Sequence, residues 1–251
     1  MPLMNWLRFA AVTLLCSSAA LAAQNLPAGT ALPVVLSSTL TSGEKAGNKI
    51  EGKLKQEVLL PSGAKIKSGS HVTGHIVSVG TAGNPAVHRL TLKFNALQDE
   101  HQSIPLNVSL RAMAASENIF QAGLPVDASS TNESSDEWVT KQIGGEVVFR
   151  GRGYVASPQA KVGKWSGAGV WGKLSPATDC AGSDGHGQEQ SLWVFSTSAC
   201  GVYGFEGMKI AQDGHSSPIG EVVLESAQDI HIGDGSGWLL VVNSASPTTT
   251  K

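Results

Sequence analysis

The residues of this chain that could do chemistry are few and scattered. Cys180 and Cys200 stand twenty positions apart, with the glycine-rich stretch AGSDGHGQEQ between them. In an oxidising compartment such a pair predicts a disulfide. The competing reading makes Cys200 a nucleophile activated by a histidine, but no second residue fixes that geometry. Asp179, Asp184, His186 and Glu189 lie among the same glycines, in a spacing that matches neither an EF-hand loop nor a zinc motif. His71 and His75 would pair on a helix. On a strand their side chains stand about 13 Å apart, too far for one ion. Trp165 and Trp171, in KWSGAGVWGK, form the candidate binding surface, because an exposed indole stacks on glycans and protein partners. Buried aromatics filling a small β-core are the alternative reading. No G-x-S-x-G elbow occurs, and neither Gly151-Arg152-Gly153 nor Gly167-Ala168-Gly169 opens a helix as a phosphate loop must. No catalytic residue, metal site or cofactor is therefore assigned.

The elements that must position these residues are strands. From Lys49 to Leu60, positions Ile50, Gly52, Leu54, Val58 and Leu60 form an apolar face broken by Gln56, while Lys49, Glu51, Lys53, Lys55 and Glu57 are charged. A period of two puts the sets on opposite faces of a strand. Leu32, Val34 and Leu36 give an earlier run, with Pro33 marking an edge or a bulge. Val72, Gly74 and Ile76 give a later one, opposite His71, Thr73 and His75. Pro27-Ala28-Gly29 and Pro61-Ser62-Gly63 supply turn chemistry. Leu90, Leu92, Phe94 and Ala96, then Ile104, Leu106, Val108 and Leu110, predict a hairpin across Gln98–Gln102, with Pro105 placing the second arm at a sheet edge. These runs predict a small β-barrel domain over residues 23–113.

The order LPAGT, apolar strand, polar stretch to Gly47, alternating strand, LPSGAKIKSGSHVTGHI resembles the C-terminal β-barrel domain of TrbI-type conjugation and type IV secretion core-complex proteins. The likeness covers roughly fifty residues, less than a usual domain. It implies a barrel opened by paired proline-glycine turns. That family's Pro-rich linker and outer-membrane apolar segment have no counterpart here, so the resemblance carries the fold and not the secretion function.

Residues 114–137, with ASSTNESSDE at their centre, lose apolar periodicity and read as a polar linker on which Ile119-Phe120 and Leu124-Pro125-Val126 could dock. Residues 138–246 read as a second, disulfide-containing β-domain, a sandwich or roll. Its short runs are punctuated by Asp184-Gly185, Asp213-Gly214 and Asp234-Gly235. Trp238 to Val242 is apolar on both faces and predicts a central strand. Residues 247–251 read as a disordered tail.

At the N-terminus, Arg8, the apolar stretch Phe9–Leu15 and Ala20-Leu21-Ala22 predict a signal peptide over residues 1–22. Leu15 before Cys16 argues against lipidation. Without Arg8 the mature chain carries 17 basic against 20 acidic residues, which excludes a basic field for nucleic acid. Glycine at 29 of 251 residues favours many short strands over helices. The expectation is an exported, all-β, non-enzymatic bacterial envelope protein, periplasmic or extracellular. It has no membrane span after signal removal, and its partner is another envelope protein or a glycan. A component of a type IV secretion-like assembly is the alternative, and an exported hydrolase the third reading.

Overall fold

The structure is a computed structural model that describes residues 25–99, 102–126, 138–151, 154–156, 161–166, 169–176, 180, 187–211 and 220–244. The expected signal peptide and tail, and residues 127–137 of the expected linker, lie outside the described residues.

The first strands are β1 (Ala31–Leu36), β2 (Leu40–Thr41), β3 (Lys49–Leu54), β4 (Val58–Leu59) and β5 (Lys65–Ile66). A long pair, β6 (His71–Ala82) and β7 (Val87–Asp99), precedes β8 (Gln102–Pro105) and β9 (Val108–Ala114). After one short helix, α1 (Ser116–Gly123), come β10 (Trp138–Lys141), β11 (Val147–Gly151), β12 (Tyr154–Ala156), β13 (Lys161–Ser166), β14 (Gly169–Lys173) and β15 (Glu189–Trp193). The remaining strands are β16 (Gly201–Tyr203), β17 (Met208–Ile210), β18 (Glu221–Ser226), β19 (His231–Ile232) and β20 (Gly237–Val242). The fold is all-β, and β3 has the burial its alternation predicts, with Ile50, Gly52 and Leu54 inside.

The main sheet runs β16-β9-β20-β1-β3-β6-β7-β18-β17, with β8 added to β7. It curls round one core, because Val202 and Met208, from strands at opposite ends of the path, both pack on the cluster containing Leu32, Leu92, Phe94 and Trp238. Those end strands exchange no ladder bonds, so the sheet is not the closed barrel that the N-terminal alternation suggested. Nor does it stop near residue 113. β20 lies between β9 and β1, and β18 pairs β7, so strands placed by sequence in a separate second domain complete the first sheet. The physical reason is the doubly apolar β20. Trp238, Leu240 and Val242 enter the first core, and Leu239 and Val241 enter a second one with Ala31, Ala112 and Ala114 on the sheet's outer face.

That second core is closed by Leu192, Trp193 and Phe195, together with Ile143, Leu174 and Ala122. Strands β10 to β15 form a six-stranded antiparallel meander in chain order. The sandwich or roll expected over 138–246 is thus this meander together with strands that join the main sheet.

The prolines fall where their missing N–H does no harm. β8 pairs with β7 alone, so Pro105 is on an edge as predicted. Pro33 lies within a strand paired on both sides, but its first β3 partner is Val34↔Leu54. The alternation set by Leu36 N–H to the Ser236 carbonyl and Ser37 N–H to the Glu51 carbonyl aims the Pro33 nitrogen toward β3, where that ladder ends. The expected linker is structured at its start. Residues Ser116–Gly123 are helical, with Glu117 in the first turn accepting from Gln121 at 2.8 Å, Ala122 buried and Ile119 packed on the second core.

Candidate functional site

The described residues come closest to a site where α1, the β10–β11 turn and β16 meet. The turn is built by Gln142 and two glycines. Gly145 N–H donates to the Gln142 carbonyl at 2.9 Å, and Gln142 N–H to the Glu146 carbonyl at 2.8 Å. Gly144 and Gly145 have φ of 106° and 90°, the left-handed side of the map. A Cβ on Gly144 would collide with Ser196 Oγ, so glycine is required there both for conformation and for space. Gln142 Nε2 donates to the Phe195 carbonyl at 3.1 Å, tying the turn to the segment after β15. Glu146 accepts from the Thr197 backbone, yet burial pushes its carboxyl above the usual range. Gln142 Oε1 and Glu146 Oε2 are buried acceptors without a partner among the described residues.

Between this turn, α1 and Tyr203 opens a groove of about 620 Å³. Its walls are mixed. Asn118, Gln121, Lys141 and Tyr203 contribute polar groups, and Leu124 and Val126 contribute apolar ones. Leu124 and Val126, just past the end of α1, are 39% and 56% exposed. Val126 N–H donates to the Val139 carbonyl at 2.8 Å, which fixes this apolar segment beside β10.

The floor is anchored through Cys200 and Arg111. Cys180 and Cys200 form the predicted disulfide, with Cα atoms 5.6 Å apart. Cys200 N–H donates to Tyr203 Oη at 3.1 Å, and Gly201–Tyr203 pairs in parallel with Ala112–Ala114. Arg111, 1% exposed, is the extra residue of a bulge in β9, since Leu240 faces Leu110 and Leu239 faces Ala112. Its Nε and Nη2 donate to the carbonyls of Ala199 at 3.1 Å and Ser175 at 2.6 Å.

The two candidate tryptophan positions fall on neighbouring strands of the meander. Trp165 lies opposite Val170 and Trp171 opposite Lys164 on adjacent rungs of the β13–β14 ladder. Successive rungs alternate faces, so the two positions belong to opposite sides of the meander. Trp171 is half-buried, and Lys164 beside it pairs with Glu189 at 2.6 Å. No family, curated protein or solved structure matches this chain. Two other tryptophans are core residues. Trp238 packs edge-on to Phe94 with ring centroids 5.8 Å apart, and Trp193 packs in the second core.

His71 and His75 lie on the solvent face of β6, and His75 Nδ1 meets Asn95 Nδ2 at 3.0 Å. Asp179, Asp184 and His186 lie outside the described residues. Among the described residues, no three His, Cys, Asp or Glu side chains converge on a point.

Sequence reasoning passed over a clasp centred on Gln56. Its Oε1 accepts from Trp193 N–H at 2.6 Å, and Lys55 Nζ sits 5.7 Å from the Trp193 ring centroid. Trp193 has φ 52°, unusual for a bulky residue, and this contact helps hold it there. The break that Gln56 makes in an apolar face was the available signal. For the groove, the signal was the Gly144-Gly145 pair.

Proposed function

We propose that the chain is a non-enzymatic, exported cell-envelope protein with a binding role, and that its partner is another envelope protein gripped at the α1 groove. The carrying observation is the exposed apolar pair Leu124 and Val126 in the wall of that groove. Exposed apolar side chains grouped at a cleft favour a protein contact. The Cys180–Cys200 bond supports export, because disulfides persist in oxidising compartments. No helix among the described residues is long and apolar enough to cross a membrane.

The test is fractionation of the native host, mild detergent extraction and sizing of the tagged chain with identification of what travels with it. Replacing Leu124 and Val126 by serine should release that partner and leave the melting curve in place. Retention of the partner by the double variant would remove the groove from the proposal. A second reading, a subunit of a type IV secretion-like assembly, draws on the LPAGT and LPSGAK turns at the start of a sheet curled round one core. That reading requires a large outer-membrane particle containing other secretion subunits, and a small soluble species would end it.

A further inference from the structure

The β6–β7 hairpin outruns the sheet that holds it. β3 accompanies β6 from His71 to His75, and Ile76 adds the last bonds through Asn48 and Gly47. From Val77, the extra residue of a bulge against β7, to Ala82, β6 bonds to β7 alone among the described residues, and each residue there is half-buried or exposed. A strand in that position presents a row of backbone N–H and C=O groups to any chain that can pair with it.

Two other edge strands of this sheet carry guards. β8 contains Pro105, and β17 carries Lys209, whose side chain is 71% exposed. Proline and lysine are the usual means of keeping edge strands from pairing. The β6 extension has neither. Val77 to Ala86 reads Val-Ser-Val-Gly-Thr-Ala-Gly-Asn-Pro-Ala, without a charge and with its proline in the turn beyond the paired residues.

We propose that this edge is a self-association site, at which β6 of one copy pairs antiparallel with β6 of a second copy across a two-fold axis. An antiparallel edge is complementary to itself under that symmetry, as an isologous contact requires. With no charge from Val77 to Ala86, the axis sets no like charges opposite one another, an arrangement that would destabilise a cross-strand pair. Gly80, Thr81 and Ala82 are small enough for two backbones to reach strand spacing.

Six residues a side give a contact below the roughly 1,000 Å² of a stable interface. Association is therefore weak, and it is read by raising concentration. Sedimentation equilibrium of the disulfide-intact chain should show the mass climbing from monomer toward dimer between about 10 µM and 1 mM. Hydrogen exchange over the same range should show the amides of Val77–Ala82 gaining protection while those of Lys209 and Ile210 do not change. Thr81→Lys, at an exposed position, should abolish both effects without moving the thermal midpoint. A chain that stays monomeric at 1 mM overturns the proposal, as does a Thr81→Lys variant that associates like the parent. Protection of the same amides by an added extended peptide, with the chain remaining monomeric, overturns it in favour of a foreign partner.

Discussion

Arg111 joins three segments that the sequence separates widely: β9, the residues after β14, and the residues before Cys200. A guanidinium buried at 1% exposure is tolerated because the β9 bulge aims it at the two carbonyls of Ala199 and Ser175. Arg111→Met keeps much of the side-chain volume and removes both bonds. It should cost about 2–4 kcal/mol, measured by urea unfolding with the slope unchanged. Glu146 makes an opposite case, because burial holds its carboxyl above the usual range. The folded state then binds this proton more tightly than the unfolded chain. The contribution of Glu146 to stability is greatest below its unfolded value and falls as pH rises through the folded one. Glu146→Gln should therefore be the more stable protein at pH 7 and lose that advantage toward pH 4, which paired thermal melts at the two pH values would measure. An advantage equal at both would show that the carboxyl titrates normally. Neither residue stood out in the sequence. Arg111 closes an alternating run, and its burial depends on segments sixty to ninety positions away, whereas Gln56 announced itself by interrupting an apolar face. A local break in a pattern is visible in one sequence, and a remote partner is not.

Among elements, β20 was the most legible. A strand apolar at every position has to be covered on both faces, and Trp238 to Val242 is covered by two different cores. The alternation makes a paired prediction. Trp238→Ala should cost about 3–5 kcal/mol through the inner core, and Leu239→Ala about 2–4 kcal/mol through the outer one, both read as shifts in denaturation midpoint. If Leu239→Ala were neutral, the outer face would not be packed. Helix α1 was less legible, since its eight residues carry one buried side chain and a surface that mixes Ser116, Glu117 and Gln121 with the exposed Phe120. Such a segment resembles a linker until the sheet beneath it is known. Strands β12 and β17, three residues each, give too few positions for a period of two to register.

At the scale of the molecule, alternation reports which face of a strand is buried but not which strand lies beside it. A boundary at residues 114–137 follows from the loss of periodicity there, yet Ala31 pairs Val241 and Leu90 pairs Leu224. Without β18 and β20, the sheet of residues 23–113 breaks between β1 and β9, and the inner core loses Val222, Leu224, Trp238, Leu240 and Val242. Two exposed apolar edges and a core missing one large aromatic and four aliphatic side chains are more than a domain of marginal stability tolerates. The fragment 23–113 should accordingly show no cooperative unfolding transition by circular dichroism. Residues 23–246 should melt in a single transition in which the inner-core Trp238 and the outer-core Trp193 lose their native fluorescence together. A fragment that melts cooperatively alone would restore the two-domain division, and would mean that β20 is an added edge where the register makes it a central strand.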